Sequence, residues 1–322
     1  MIAAEVGNID RMRNLIDATK QWELTDQWMT KGDRKGRTPL HLAAIYGYIN
    51  VVEFIVKEII NCTDNEDTRK KYLNIRDNKG RTCVFHAAAE GRQTVLEFLI
   101  DSKADMDIGT NEKHNEPGST ALMACAEKNE RESFYLLFMK GADLLKTRDD
   151  GADAIYIAAR YGHNKLIAGL FERMAEIDEI NETDEINVIV NRPTFSERTP
   201  LLTAAFHGHI SMCKELYARG ANLDHRDANG FTALMYASAE GHQDLVKWLI
   251  MSGANLRLKN KHHENAIKCA MWNKEFEIAK LIKTFISDKD EGDTPTPEEN
   301  NSNNKTLSNL SRKRSGTKIK RS

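Results

Sequence analysis

Apolar and polar positions follow a pattern that first becomes clear in residues 36–56, GRTPLHLAAIYGYINVVEFIV. A polar start precedes a short apolar segment with paired alanines, then a glycine and a second apolar segment. The apolar spacing of the second segment is typical of an amphipathic helix. Thr38 suits the N-cap of the first helix, Pro39 its first helical position and Gly47 its end. The pattern therefore predicts two short helices joined by a tight turn.

The same pattern recurs along the chain with a base period of 33 residues. Counted from Thr38, the successive units are separated by 44, 38, 33, 46, 33 and 33 residues. Every unit carries an aliphatic residue two positions after its origin and another seventeen positions after it. A fixed period of this length is typical of a solenoid, in which each unit packs only on its neighbours. The origins of the units are Thr38, Thr82, Thr120, Asp153, Thr199, Thr232 and Asn265.

Three segments are similar to the ankyrin-repeat family: TPLHLAA at 38–44, RTPLLTAAFHGH at 198–209 and FTALMYASAEGHQDLVKWLI at 231–250. The Gly-Ala-Asp and Gly-Ala-Asn closures after several second helices resemble the same family. The resemblance covers residues 1–286. It implies an all-α repeat solenoid of about seven full units plus an N-terminal half unit, with β-hairpin fingers between the units. It also implies binding through the fingers and the concave helix face.

The two ends of the chain differ from the repeats. Met1 begins in the middle of a unit, so we expect either a truncated capping unit or the remaining part of a longer array. From Ser287 the apolar pattern stops, and the sequence becomes acidic, then rich in Asn and Ser, then basic. Such a composition buries too little apolar surface to become ordered. We therefore predict an ankyrin array at 1–286 and a disordered tail at 287–322.

The basic end of the tail has several interpretations. A short basic run suits a nuclear-import signal, a contact with anionic lipid or a nonspecific contact with nucleic acid. It is also typical of a tail that is only solvated. Nucleic-acid binding by the tail predicts retention on a phosphate resin that disappears when residues 305–322 are deleted. The import candidates are Arg312, Lys313, Arg314, Lys318, Lys320 and Arg321.

Three insertions lengthen the period at junctions between units. Residues 61–72 carry mixed charge, and residues 106–118 form a polar segment. Residues 175–187 hold six acids and no base. An acidic run is usually only solvated, and the alternative is an acidic lobe that binds a basic partner. We expect this longest insertion to lengthen a helix or to bend the stack.

Composition and motifs argue against an enzyme, a metal site or a cofactor. The formal net charge of −2 gives no overall attraction to nucleic acid or to anionic lipid. The GxxxxGK, HExxH and Gly-x-Ser-x-Gly motifs are absent from the sequence. The five cysteines form no CxxC pair, and no pair of histidines has a second ligand pair at zinc spacing. Cys125 and Cys269 fall in small-residue positions of a first helix, which predicts a place in the core.

The histidines also have a structural interpretation. His41 belongs to the Thr-Pro-Leu-His pattern and is expected to bond to the backbone between fingers. No apolar run approaches the roughly 18 residues of a membrane span, and no signal-peptide pattern opens the chain. We therefore expect a monomeric array in the cytoplasm, the nucleus or both. Three further histidines follow the glycine that ends a first helix, a habit of the family that the chain resembles: His163, His209 and His242.

Function is expected from the positions that differ between units. Residues beside each turn glycine, and those just before each helix-ending glycine, should face the concave side. Exposed aromatic residues and arginines are common anchors for protein partners, although single exposed aromatics are ordinary on any protein surface. The first fingers carry a basic patch of Arg34, Lys35, Arg37, Lys79 and Arg81. The matching helix positions hold Tyr46, Glu90, Arg160, Tyr161, Phe206, His207, Glu240 and Trp272.

The sequence therefore predicts a non-enzymatic adaptor or scaffold that binds another protein through its concave face. One alternative is a regulatory ankyrin segment of a larger protein, such as a channel or a multidomain enzyme, truncated at its N-terminus. The mid-unit start favours this alternative, whereas the basic tail favours the adaptor. The other alternative is a protein that binds nucleic acid through its tail. Because of the net charge, we expect this function least of the three.

Overall fold

The computed structural model describes residues 1–21, 25–113, 115–176 and 182–292, and all regular structure in these residues is helical. Most of the helices form pairs that follow the repeat, with the first helix starting at the unit origin and the second following a tight turn. In chain order the helices are α1 (Ile2–Glu5), α2 (Ile9–Gln21), α3 (Thr25–Thr30), α4 (Pro39–Tyr46), α5 (Ile49–Cys62), α6 (Glu66–Leu73), α7 (Cys83–Ala89), α8 (Gln93–Asp101), α9 (Ala121–Lys128), α10 (Arg131–Met139), α11 (Ala154–Tyr161), α12 (Asn164–Ala175), α13 (Glu182–Val190), α14 (Pro200–Phe206), α15 (Ile210–Ala218), α16 (Ala233–Ala239), α17 (Gln243–Met251), α18 (Ala266–Trp272) and α19 (Phe276–Gly292).

The first helices form one continuous row. Paired alanines let neighbouring helices of this row approach closely, and Ala43, Ala44, Ala87 and Ala88 are fully buried. The second helices contact each other less closely. Because one side of the array is more tightly spaced than the other, the array curves towards the row of first helices. The row runs through α4, α7, α9, α11, α14, α16 and α18.

The two aliphatic columns predicted from the sequence form the core between units. Ile267 is the one member of these columns that is only partly buried, because no helix pair follows it in the described residues. The burial confirms the predicted core positions and explains why the period is so regular. The first column is Leu40, Val84, Leu122, Ile155, Leu201, Leu234 and Ile267. The second column is Ile55, Leu99, Leu137, Leu170, Leu216, Leu249 and Ile282.

The N-cap of the first helix is kept even where the threonine is replaced. Thr82 accepts a hydrogen bond from the backbone N–H of residue 85 at 3.2 Å. Asp153 accepts the equivalent bond at 2.8 Å, and Asn265 accepts it at 3.1 Å. The side-chain oxygen is therefore the feature that each unit retains. Burial raises the pKa of Asp153 to about 6, although the positive charge of Arg192 partly offsets this effect.

The connections between units contain tight turns, which we call fingers one to seven; all are five residues long except finger three. In finger one the N–H of Asp33 bonds to the carbonyl of Arg37 at 3.0 Å, and that of Gly36 bonds to Asp33 at 2.8 Å. No β-strand occurs in the described residues, so the predicted β-hairpins are present only as turns, because five residues leave no room for paired strands. The fingers span 33–37, 77–81, 110–119 (the extended finger three), 148–152, 194–198, 227–231 and 260–264.

Adjacent fingers are joined by single backbone hydrogen bonds. The N–H of Asn78 in finger two bonds to the carbonyl of Lys35 in finger one at 2.9 Å. The N–H of Ala228 in finger six bonds to Ser196 in finger five at 3.0 Å in the same way. In finger five the turn glycine is replaced by Glu197, which keeps the left-handed backbone with φ 59°. The backbone hydrogen bonds between adjacent fingers are therefore also present in units whose turn sequence differs from the pattern.

The insertions add local structure without interrupting the row of first helices. The insertion at 61–72 contains most of α6, which packs against α5. The insertion at 106–118 forms most of the extended finger three. In the acidic insertion, α12 reaches 12 residues, against 9 for α15, so a helix is lengthened as expected. The insertion also contributes α13, whereas residues 177–181 lie outside the described residues.

The last helix runs to Gly292 and so passes the predicted boundary of the array at residue 286. Residues 293–322 lie outside the described residues, and the predicted disordered tail and its basic import candidates therefore stay predictions for that part. Among the residues that the structure describes, none of the helices is both long enough and apolar enough to cross a membrane.

Leu137→Ala tests the core column in the middle of the array. Leu137 is completely buried, so we expect a cavity between units and a loss of about 2–5 kcal/mol in the free energy of unfolding. Because units couple only to neighbours, chemical denaturation is expected to separate into two transitions. Met139→Ala in the same helix is the control, since Met139 is 58% exposed. Equal effects of the two substitutions would contradict the core assignment.

Asp153→Asn tests the buried carboxyl group at the N-cap of α11. A folded-state pKa raised from 3.8 to about 6 gives stability that is complete below pH 3.8 and is lost as the pH rises through 6. From about pH 4 to about pH 7.5, the variant is therefore expected to gain about 2 kcal/mol relative to the parent. Denaturant unfolding at both pH values measures this gain. Thr199→Asn is the control, and its effect should not change with pH; a gain of the same size there would contradict the explanation.

Candidate functional site

The fingers and the ends of the first helices line the concave side of the array, which we call the groove. In fingers one and two, Arg37 and Arg81 are bound to the aspartate at the start of their own turn. Arg37 donates from Nε and Nη2 to Asp33 at 2.8 and 2.6 Å. Arg81 donates to Asp77 in the same way at 2.9 and 2.8 Å. We call this arrangement the Asp–Arg clamp. Both arginines stabilise a turn, and little of their charge is left for a partner.

Asp77 is the centre of a buried polar cluster. Its carboxylate also accepts a hydrogen bond from Nε2 of His86 at 3.1 Å. Burial raises the pKa of Asp77, but the hydrogen bonds from His86 and Arg81 outweigh it and hold the pKa below its ordinary value. Burial lowers the pKa of His86. His86 and Arg81 both bond to Asp77, so the polar groups of this cluster are satisfied within the fold, which indicates a structural role.

His41 joins finger two to the first helix of the preceding unit. Its Nδ1 accepts a hydrogen bond from the N–H of Thr38 at 3.1 Å, and its Nε2 lies 3.0 Å from the carbonyl of Arg81. This pairing assigns the proton of the neutral ring to Nε2. Burial, with the neighbouring His86, lowers the pKa of His41 to about 4. The predicted bond of His41 to the backbone between fingers is confirmed.

The remaining members of the basic patch are exposed. Arg34, Lys35 and Lys79 lie on the surfaces of fingers one and two, and no salt bridge involves them in the described part of the chain. Asn78 ties the two fingers together by donating from Nδ2 to the carbonyl of Arg34 at 3.0 Å. Since Asp33 and Asp77 are bound to the clamp arginines, these three cations give the first two fingers a positive surface.

Aromatic groups are exposed near both ends of the row of first helices. Tyr46 stacks on Tyr48 with 6.0 Å between ring centres, and its hydroxyl lies 3.4 Å from a carboxylate oxygen of Glu5. Trp272 at the end of α18 is 75% exposed. Glu90 is an exposed acid at the matching position of α7. These three predicted positions therefore lie on the surface, as an interaction site requires.

An ion network occupies the middle of the groove. Glu116, from the extended finger three, pairs with the buried Arg148 and with Arg160, whose Nη1 lies 3.1 Å from its carboxylate. Asp150 completes the network 2.6 Å from Nη2 of Arg148. Burial lowers the pKa of Arg148, but its two carboxylate partners raise it overall. Arg160 also lies over the ring of the exposed Tyr161, 5.8 Å from its centre. Predicted site residue Arg160 is thus held in place by a partner that sequence reasoning missed.

The late units form an aromatic cluster around an arginine. Phe206 is half-buried and meets the ring of Tyr236 edge-on at 5.6 Å. Arg198 lies beside this pair, with its guanidinium 5.8 Å from the centre of Phe206 and 5.0 Å from that of Tyr236. Phe231 stacks on Tyr236 at 5.1 Å. Sequence reasoning missed Arg198, Phe231 and Tyr236, although Arg198 and Phe231 follow the turn position just as Arg37 and Arg81 do.

His207 and Glu240 lie on the exposed rim of this cluster. Burial lowers the pKa of His207, and the nearby His209 and Arg160 lower it further. The ring of His207 stacks on His209 at 5.9 Å. The structure thus brings the predicted residues Phe206, His207 and Arg160 into one neighbourhood, whereas Trp272 and the basic patch lie towards the two ends of the row.

Three of the predicted structural histidines bond to the preceding unit. Each lies just after the residue that ends the first helix of its own unit. Its Nε2 bonds to a carbonyl at the end of the preceding first helix, which confirms the structural interpretation. Arg92 does the same through Nε, 3.0 Å from the carbonyl of Ile45. The histidine contacts are His163 to Glu127 at 3.1 Å, His209 to Arg160 at 3.0 Å and His242 to Phe206 at 3.0 Å.

The cysteines offer no reactive thiolate in the core. Cys125 and Cys269 are buried, as predicted from their small-residue positions. Burial raises the pKa of Cys269 to about 11 and that of Cys83 to about 12, so both thiols stay protonated at neutral pH. No group of three or more His, Cys, Asp or Glu side chains suited to a metal ion occurs among the described residues.

Comparison with known proteins identifies the repeat. A family model described as ankyrin repeats in three copies matches residues 1–110, 66–148, 179–260 and 201–293. The crystal structure of the ankyrin repeat domain of Bcl-3, titled a unique member of the IkappaB protein family, superimposes with a TM-score of 0.60. It covers 77% of this chain and 100% of its own, at 24% identity, and this likeness concerns the fold alone.

One curated relative comes from Caenorhabditis elegans. It is the transient receptor potential cation channel subfamily A member 1 homolog, 23% identical over 202 residues. The match covers 62% of this chain but only 14% of the relative, so the chain spans about a seventh of that protein's length. The ankyrin family model covers well over half of the present chain, on the same units that the helix pairs define. The chain therefore belongs to the ankyrin-repeat family.

Proposed function

We propose that this chain is a non-enzymatic protein-interaction adaptor that binds an extended segment of another protein along its groove. The observation that carries the proposal is the contrast between the two parts of each unit. The core columns are uniform, whereas the finger tips and helix ends differ from unit to unit and are exposed. Exposed aromatic residues and arginines on a rigid support are the usual anchors of protein interfaces.

The order of charges along the fingers gives the bound segment a direction. Arg34, Lys35 and Lys79 make fingers one and two positive. Asp149 in finger four and Glu197 in finger five are exposed acids. A partner with an acidic stretch opposite the first fingers and a basic group opposite finger four would fit in one orientation and be repelled by the groove in the other.

The later units are proposed to bind apolar side chains of the partner. Tyr161, Phe206 and Trp272 offer aromatic surface on three different first helices. An apolar side chain of the partner that covers one of these rings removes both surfaces from water and excludes water from neighbouring polar contacts. The proposed partner is therefore acidic at one end and apolar towards the other. A chain of this kind would act in the cytoplasm or the nucleus, and the basic cluster at 312–321 is the proposed import signal.

A second candidate function is a regulatory ankyrin segment of a larger protein. The observation that favours it is the likeness to part of a nematode protein named as a cation channel. In that case the groove would bind another part of the same polypeptide or a regulator of it. An immunoblot of native extract with an antibody against the array distinguishes the two. A band near 36.5 kDa agrees with the adaptor, whereas a much larger band agrees with the segment.

The charge order can be tested with Arg34→Glu plus Lys79→Glu. These two residues are preferable to the clamp arginines, because reversal of Arg37 or Arg81 would disturb a turn. A partner is first recovered by pull-down with the full chain, and surface plasmon resonance is then run at two salt concentrations. The double variant is expected to slow association and to weaken its salt dependence, as exposed rim charges do. Lys57→Glu plus Lys214→Glu, both exposed on second helices, is the matched control and should bind as the parent does.

Trp272→Ala tests the apolar anchoring with the same partner. Removal of a desolvated aromatic anchor is expected to speed dissociation by an amount worth about 2 kcal/mol, with little change in association. Met251→Ala is a control, because Met251 is 80% exposed but lies on a second helix. If the charge variant and Trp272→Ala are folded and bind like the parent, the partner does not use the groove.

A further inference from the structure

We propose that Arg198 binds one carboxylate side chain of the partner segment and so fixes where that segment must carry Asp or Glu. Arg198 takes this role only if a partner occupies the groove, so the assignment rests on the proposed function and adds the chemistry of one subsite. It is independent of the basic patch on fingers one and two, which lies at the other end of the row.

Finger five lacks the Asp–Arg clamp that fingers one and two contain. Arg198 holds the same turn position as Arg37 and Arg81. Four residues before it, however, stands Thr194, where the other two fingers have aspartate. The Thr194 hydroxyl lies 3.0 Å from that of Ser196 and offers no negative charge to the guanidinium. Arg198 therefore has no carboxylate partner within its own turn.

The next unit fixes the guanidinium of Arg198 without enclosing it. Nη2 donates to the hydroxyl of Tyr236 at 2.7 Å, across 38 residues of sequence. The guanidinium also packs beside the rings of Tyr236 and Phe206, 5.0 and 5.8 Å from their centres. The side chain is nevertheless 35% exposed, and Nη1 has no hydrogen-bond partner within the described ranges. An arginine that is held by aromatic rings and keeps free donors is pre-organised for a ligand.

The nearest carboxylate, Asp227, already accepts three hydrogen bonds from other groups. Its Oδ1 accepts from the N–H groups of Asn229 and Phe231, each at 2.9 Å. Its Oδ2 accepts from the Tyr236 hydroxyl. Nε of Arg198 lies 3.6 Å from Oδ2, which is too long for a hydrogen bond. Asp227 thus orients Arg198 by charge but leaves its outer donors for another acceptor.

A carboxylate is the anion that suits these donors. The planar guanidinium matches two carboxylate oxygens, and the aromatic rings exclude water, which strengthens the pair. A phosphate carries nearly two negative charges. Because Asp227 already lies beside the single cation, a doubly charged group is less suited to this place. The rings of Phe206 and Phe231 indicate an apolar residue next to the acid in the bound segment.

The experiment uses a phage-displayed library of random 12-residue peptides with the full chain as bait. Enriched peptides are expected to carry Asp or Glu at one fixed position beside an apolar residue. A synthetic peptide with that acid replaced by its amide should bind the parent roughly 10-fold more weakly. Arg198→Gln should bind the acid and amide peptides within about 2-fold of each other, because the acid has lost its receptor.

Thr194→Asp tests the same idea without removal of the arginine. The new aspartate recreates the clamp of fingers one and two and should draw Arg198 away from the groove. We expect roughly 10-fold weaker binding of the acid peptide, with a melting temperature no lower than that of the parent. Arg219→Gln is the matched control: Arg219 lies over the ring of Phe171 at 5.1 Å, but it directly follows a second helix, and this variant should bind both peptides like the parent.

The outcomes separate this inference from the proposed function. Enriched peptides without a fixed acid would overturn the role of Arg198 and leave groove binding intact. So would a 10-fold preference for the acid peptide that persists in folded Arg198→Gln or Thr194→Asp. Tighter binding of a phosphoserine peptide than of the acid peptide would contradict the choice of a carboxylate. If the parent enriches no peptide at all, the proposed function fails, and the assignment of Arg198 fails with it.

Discussion

At four junctions in the described residues, a hydrogen bond joins a unit to the end of the preceding first helix, with Arg92, His163, His209 or His242 as the donor. The last carbonyls of a helix have no partner within the helix, and burial without a partner is costly. Here the following unit supplies the donor, for example His209 to the carbonyl of Arg160 and His242 to that of Phe206. A Cβ at Gly162 would lie only 2.7 Å from His209. The glycine and the donor are therefore needed together, and they set the distance between units.

This dependence on neighbours explains how much the sequence could predict. The caps, the helix pairs and the aliphatic columns depend on residues within one period, so spacing alone located them. The bond of His41 to finger two joins two units, and it could be predicted because His41 belongs to the Thr-Pro-Leu-His pattern of the repeat. The groove was harder to predict, because the charge that an arginine offers to a partner depends on whether an aspartate of its own turn already binds it. Asp33 lies four residues before Arg37 and could have been read as its partner, whereas the link between Arg198 and Tyr236 joins two different units.

The candidate site arises from small differences between the fingers. Finger five has Thr194 and Arg198 where finger two has Asp77 and Arg81. The extended finger three brings Glu116 to Arg160 and so places an acid in the middle of the groove. Neither change affects the core columns, which are buried beside fingers two, three and five. Sequence changes on the fingers are therefore expected to cost little free energy of folding, because that free energy comes mainly from the core columns between units.

The fingers are connected more weakly than the helices behind them. Single backbone hydrogen bonds join successive fingers, such as those from Asn78 to Lys35 and from Ala228 to Ser196, whereas the first helices pack along their length. Because the first helices are closely packed and the fingers are joined by few hydrogen bonds, we expect small rotations at many junctions to change the curvature while the hydrophobic contacts are retained. A bound segment that spans more units would then restrict these rotations at more junctions.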